Sequence, residues 1–257
     1  MNFSNQNTTK KTACFSLKTI ASIVAIFIIS TSINAQFFNK KISGNGDIIT
    51  KTRSVSDYDK IGVAGSFNVK LYKGNEGTIS IKADENLMEY IITKVKNGNL
   101  EIKPKKGYNI RSRKTIEITV SFKYLEAVSL AGSGDIYTSD FIKSSKLKLS
   151  LAGSGNLDLN VDTGDLDSSI AGSGNIKLNG ETKEFSCNIA GSGNLNGLNL
   201  KASIANAKIA GSGNIKINAV NEIHAKIAGS GNVIYSGNPD IVKSNSAGSG
   251  SIRKKNK

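Results

Sequence analysis

Seven copies of an Ala-Gly-Ser-Gly tetrapeptide run through the second half of the chain, beginning at Ala131, Ala152, Ala171, Ala190, Ala210, Ala228 and Ala247. Successive copies start 21, 19, 19, 20, 18 and 19 residues apart. A period this constant marks a solenoid, because a unit of roughly 20 residues cannot bury its own apolar face and must stack on similar neighbours. The spacing restricts the fold before composition is considered at all.

Counting each copy from its Ala shows what kind of coil repeats. The residue one place before it is Leu130, Leu151, Ile170, Ile189, Ile209, Ile227 and then Ser246. Three places before it stand Val128, Leu149, Ser168, Cys187, Ala207, Ala225 and Ser244, while the position between is polar, from Ser129 to Asn245. Alternate residues of a strand share a face, so the first two columns point inward and the third faces water. After the tetrapeptide comes Asp135, Asn156, Asn175, Asn194, Asn214, Asn232 or Ser251, and then an aliphatic residue. Each coil thus reads as a strand, a Gly-Ser-Gly corner, a second strand and a turn such as Asp162-Thr163-Gly164 or Asn179-Gly180. In-register stacking would align the Asn column into a ladder of amide hydrogen bonds, as in cross-β assemblies. The fold class read from the repeat is all-β, a solenoid of coils about 19 residues long, preceded by a less regular strand-rich part.

Repetition argues against a phosphate-cradling or catalytic reading of Gly-Ser-Gly-Asn. A dinucleotide fingerprint is a single Gly-x-Gly-x-x-Gly between strand and helix, and a hydrolase elbow sets glycines two residues either side of its Ser. Neither pattern is present. One corner used seven times is a geometric device.

The start of the chain reads as a secretory signal peptide over residues 1–35. Lys10, Lys11 and Lys18 precede an apolar run from Ile20 to Ile29, and Ile33-Asn34-Ala35 offers a small residue for cleavage. Ten helical residues reach about 15 Å, half of a bilayer core about 30 Å thick, so no transmembrane span is expected in the mature chain. An uncleaved anchor running to Ile33 is the alternative. Removing residues 1–35, which hold three Lys and no acid, lowers the formal charge from +14 to +11 and leaves Cys187 as the one cysteine. In the inward column between Phe185 and Ile189, it reads as a small buried hydrophobe.

Residues 36–56 read as a leader ahead of a domain spanning 57–252, with 57–128 irregular, 129–252 repetitive and 253–257 a basic tail. Val63-Ala64-Gly65-Ser66-Phe67 keeps the repeat register, and Ser43-Gly44-Asn45-Gly46-Asp47 is a looser echo. Alternating runs cover 67–72, 78–82, 91–95, 100–103 and 115–122; Asn97-Gly98-Asn99 signals a hairpin, and 84–90 could form a short helix.

A signal peptide, Val-Ala-Gly-Ser-Phe, a strand-rich stretch with Asn-Gly-Asn-Leu-Glu-Ile and tandem Ala-Gly-Ser-Gly-Asn-Ile repeats together resemble the head GIN domain of putative autotransporter adhesins, a family common in Bacteroidetes. The resemblance covers about residues 57–252 and implies a right-handed parallel β-helix-like solenoid on an exported, adhesin-like protein located in the periplasm, on the outer membrane or at the cell surface. The chain departs from the label in one respect. The repeats run to Ile252, so no translocating barrel of strands about ten residues long is expected in it.

The function expected is a non-enzymatic interaction module of the cell envelope; the alternatives are a polysaccharide-active β-helix enzyme and a purely structural envelope protein. An enzyme would need clustered carboxylates and supporting cations. Asp162, Asp165 and Asp167 form the densest carboxylate group, at a turn where Asp is ordinary. His224 is the sole histidine, and no metal or other cofactor is expected. Nor is nucleic acid, since the lysines of the repeats occupy solvated strand faces. The candidate ligand site lies earlier in the chain. Six of the seven tyrosines fall at or before the first repeat, and residues 103–114 carry six cations and no acid. They join two strands and could be a solvated loop. Alternatively Lys105, Lys106, Tyr108, Arg111, Arg113 and Lys114 form a site for an acidic glycan or lipopolysaccharide, with arginine forks on carboxylate or phosphate.

Overall fold

Stacking in register is what the repeat demands, and the computed structural model, which describes residues 40–255, has it at the corners, with shifts of register between them near Tyr137, Lys177 and Gly197. The signal-peptide segment lies outside the described residues. In chain order the irregular half contains β1 (Lys40–Ser43), β2 (Ile48–Ser54), β3 (Lys60–Gly65), β4 (Phe67–Lys73), β5 (Thr78–Asp84), a 3-10 helix (Glu85–Tyr90), β6 (Ile91–Lys96), β7 (Asn99–Pro104), β8 (Tyr108–Arg111) and β9 (Ile116–Phe122). The repeats follow as β10 (Ala127–Gly132), β11 (Asp135–Gly153), β12 (Asn156–Gly172), β13 (Asn175–Gly191), β14 (Asn194–Gly211), β15 (Asn214–Gly229), β16 (Asn232–Ser236), β17 (Ile241–Ala247) and β18 (Ser251–Lys254). Every neighbouring pair from β10 onward is parallel and aligns one tetrapeptide with the next, as in Ala152 with Ala171 and Ala171 with Ala190.

The inward columns are the core. Leu130, Leu151, Ile170, Ile189, Ile209 and Ile227 are buried, as are Val128, Leu149, Ser168, Cys187, Ala207 and Ala225. Each enclosed Leu or Ile contributes about 1.5–3 kcal/mol. Only the last coil departs: Ser244 and Ser246 are exposed because nothing stacks on β17. The turns read at Asp162-Thr163-Gly164 and Asn179-Gly180 bend the chain without ending the strand. Pairing runs from Asn160 with Asn179 through Thr163 with Thr182, and the buried Thr163 hydroxyl lies 3.0 Å from that of Thr182.

Corner geometry explains the tetrapeptide. Gly172 has a φ of 124°, and a side-chain carbon there would lie 2.5 Å from the Gly153 carbonyl oxygen. One on Gly174 would lie 2.4 Å from the Gly155 oxygen, so both glycines are required by close backbone stacking. In return the Ser and second Gly amides converge on one carbonyl of the preceding coil. Ser173 and Gly174 donate to the Gly153 oxygen at 2.9 and 3.0 Å, and Ser192 and Gly193 to the Gly172 oxygen at 2.9 and 3.0 Å. Outside the corner the amide ladder forms, with Asn175 Nδ2 donating to Asn156 Oδ1 at 2.9 Å and Asn194 Nδ2 to Asn175 Oδ1 at 3.0 Å.

The irregular half continues the stack, out of chain order. β3 and β4 make a coil directly against β10 and β11, pairing Ala64 with Ala131 and Asn68 with Asp135. Against that coil lie β7, paired with β3, and β9, paired with β4. Antiparallel strands close this end: β6 on β7, β5 on β9 and β2 on β5. The hairpin between β6 and β7 turns at Asn97 and Gly98, with φ of 51° and 71°, as a primed turn requires. Residues 40–54 therefore contribute two paired strands to the body, with β1 running parallel to β8. The Ser43–Asp47 echo does not join the corner column and instead forms the turn between β1 and β2.

Candidate functional site

Residues 105–115 leave the stack at a particular place. β7 and β9 are the two strands of one coil, so the segment between them stands where a Gly-Ser-Gly corner would otherwise be. The chain swings out instead, forms β8 and pairs only with β1. A cleft of about 610 Å³ opens between this excursion and the corner at Gly65, Ser66 and Phe67, within the range of small-ligand sites.

The six candidate residues divide into two groups. Tyr108, Arg111, Arg113 and Lys114 line the cleft. Lys105 and Lys106 do not, although both are exposed at the tip. Lys105 Nζ lies 5.6 Å from the Tyr108 ring centre and 5.9 Å from that of Tyr90, and the two rings are 4.7 Å apart. The tip is thus stiffened by a lysine shared between two aromatic faces. Lys103, on β7, is paired with Glu101.

Further residues beside the site, outside the cleft lining, come from segments whose sequence carries no such signal. In the parallel β1–β8 pair, Lys41 stands beside Asn109 and Ser43 beside Arg111. Ile42 and Ile110 turn the other way and pack against the core, leaving Lys41 on the outer face with Arg111. Asp84, fully buried at the end of β5, locks the two sides together. Its carboxylate accepts from the Gly46 amide at 2.8 Å and from the Ser112 hydroxyl, between the two arginines. Burial works to raise the Asp84 carboxyl, but those hydrogen bonds and the charge of Arg113 hold it below the usual carboxylate range. Asn86 adds a second clasp, accepting from the Asn45 amide at 2.9 Å and donating to the Ser43 carbonyl at 2.8 Å.

The groups weighed for catalysis lie in the repeats, outside this cleft. Asp162 pairs with Lys143 at 2.9 Å, Asp165 is exposed and Asp167 half-exposed. His224 is half-buried, its Nε2 3.2 Å from Glu222. Among the described residues no group of three or more His, Cys, Asp or Glu could hold a metal ion, and no helix is long and apolar enough to cross a membrane. Cys187 is fully buried, and burial pushes its thiol up to about 12.

Solved structures share this architecture. One from Bacteroides fragilis, called a putative adhesin, is 26% identical with a TM-score of 0.77, over 83% of this chain and 100% of its own. One from Parabacteroides distasonis, called a putative lipid binding protein, is 32% identical with a TM-score of 0.71, over 84% of this chain and 100% of its own. A third, a putative adhesin from Parabacteroides merdae, is 25% identical with a TM-score of 0.66, over 84% and 100% respectively. No curated protein matches the chain. The family model described as "Putative auto-transporter adhesin, head GIN domain" matches residues 57–239, a span that includes the cleft but not β1 or β2. With its corners stacked coil on coil and most of its length inside that match, the chain belongs to the head GIN domain family.

Proposed function

We propose that this protein is an exported, non-enzymatic interaction module of the cell envelope, whose basic cleft holds the anionic groups of an acidic glycan or lipopolysaccharide. The observation that carries the reading is the convergence of Tyr108, Arg111, Arg113 and Lys114 on one cleft at the interrupted corner. Arginine pairs carboxylate and phosphate through two parallel hydrogen bonds, and an aromatic face beside it suits a sugar ring. Two of the similar structures are named adhesins and one a lipid binding protein, which supports a ligand on a surface over a substrate that turns over. The test is binding to immobilised lipopolysaccharide and to polygalacturonate at low and high salt. Exposed charge attraction is screened beyond about 8 Å at physiological ionic strength, so affinity should fall steeply with salt. Replacing Arg111, Arg113 and Lys114 together by Ser should abolish binding while circular dichroism shows the fold retained. Binding that survives the triple change, or that ignores salt, refutes the assignment.

A further inference from the structure

The cleft floor contains the ingredient that the rest of the solenoid uses to bind oxygen. At five successive corners the Ser and following Gly amides both donate to a single carbonyl oxygen one coil back: those of 154 and 155 to Gly132 at 3.0 Å each, and those of 230 and 231 to Gly211 at 3.0 and 3.2 Å. The first tetrapeptide does the same on the irregular half, Ser133 and Gly134 donating to Gly65 at 3.3 Å each. At the corner of β3 and β4 the equivalent donors are Ser66 and Phe67. The coil behind them is the one whose corner swings out as residues 105–115. Among the described residues, no backbone or side-chain acceptor outside the strand ladders receives the Ser66 or Phe67 amide.

Two further observations place the gap there. A side-chain carbon on the first corner glycine meets a carbonyl oxygen at 2.3–2.5 Å in all the later coils, but on Gly65 its nearest neighbours are the Phe67 ring at 3.3 Å and the Pro104 ring at 3.4 Å. The second corner position, glycine in all seven tetrapeptides, is Phe67 here. A side chain fits because no corner backbone lies against it. Gly65, Ser66 and Phe67 share the cleft lining with Arg111, Arg113 and Lys114.

We infer that the Ser66 and Phe67 amides form a receptor for one oxygen of a carboxylate or phosphate, which occupies the place a corner carbonyl takes in every other coil. Successive backbone amides aimed at one point form an anion-binding concavity, and the flanking cations make a charged oxygen a better occupant than a hydroxyl. The inference rests on reading the cleft as an anion site and names the atoms that would hold the anion.

The experiment is an amide chemical-shift titration of the 15N-labelled protein with inorganic phosphate, with galacturonate and with galactose. Phosphate or galacturonate should give saturable shifts at Ser66 and Phe67 and none at the occupied corner amides of Ser154 and Ser173; comparing the two separates a phosphate source from a uronic acid. Galactose should do nothing at equal concentration. Ser66→Pro, which deletes one donor, should weaken the response at Phe67 at least tenfold, and should that variant fail to fold, the wild-type shift pattern decides alone. Shifts confined to residues 105–114 would overturn the amide receptor while leaving the basic cleft as a binding surface. Silence at both sets of amides with both anions would overturn the receptor and the proposed function together. Equal shifts with galactose would overturn the requirement for charge.

Discussion

Replacing Gly172 by Ala should destabilise this protein far more than replacing Gly77 by Ala, although the two glycines have similar φ, 124° and 114°. The left-handed backbone costs any alanine about 1–3 kcal/mol, and that cost is common to both sites. At Gly77 nothing lies within 4 Å of the added carbon. At Gly172 the carbon would lie 2.5 Å from the Gly153 oxygen and 3.2 Å from its carbon and nitrogen. That oxygen cannot retreat freely, because it is held by the amides of Ser173 and Gly174 at 2.9 and 3.0 Å. Relief of the clash therefore stretches two hydrogen bonds worth about 0.5–1.5 kcal/mol each, on top of about 1–3 kcal/mol of overpacking. The excess of Gly172→Ala over Gly77→Ala should be about 2–6 kcal/mol, a large share of a domain stability of about 5–15 kcal/mol. Urea unfolding followed by circular dichroism measures it, with Gly77→Ala as the internal reference. If the two variants unfold within about 0.5 kcal/mol of each other, an ordinary surface-substitution scatter, backbone stacking is not why the corners contain glycine.

Other consequences are open to direct measurement. Ala207, fully buried between Cys187 and Ala225, has no room for growth, and Ala207→Leu should cost about 1–3 kcal/mol; a neutral result in urea would place that column outside the core. Asp84 titrates below its ordinary value in the folded state, so its contribution is complete above the unfolded value of 3.8 and is lost as pH falls through the folded value. Urea midpoints of the wild type should therefore drop below about pH 4 by a component that Asp84→Asn lacks, and identical acid profiles would remove Asp84 as the clasp of the basic excursion. Cys187, with its thiol pushed up to about 12 by burial, should resist a thiol reagent in native buffer and react at once in denaturant; fast native labelling would contradict its place in the inward column.

The repetitive half was legible because its information is local. A period-two pattern around each tetrapeptide specifies which side chains enter the core, and a one-residue slip would expose the whole set, so the register follows from the pattern itself. Ile170, Ile189 and Ile209 sit where the alternation puts them, and the Asn ladder follows from in-register stacking. The irregular half lacks a repeat to report its pairings. Its strands could be recognised as alternating runs at 67–72, 78–82, 91–95, 100–103 and 115–122, and the hairpin of β6 with β7 from Asn97-Gly98, yet the order of the rest in space could not, since β3, β4, β5 and β9 take partners far along the chain.

The candidate site divides along the same line. Its cations were visible as a run of charge from Lys105 to Lys114, because clustering is a property of the sequence alone. That Arg111, Arg113 and Lys114 face a cleft while Lys105 folds over two tyrosines depends on where the excursion leaves the stack. Lys41, Asp84 and the Ser66 and Phe67 amides carry no such signal. Lys41 comes beside the excursion through the pairing of β1 with β8, and Asp84 reaches it through contacts with Gly46 and Ser112, 38 and 28 residues away. The sequence by itself determined the coil, its inward columns and its glycine corners, because neighbours one period apart must be complementary to stack. Tertiary structure alone decided where the corner ladder is interrupted, because that follows from which distant strands close the end of the stack.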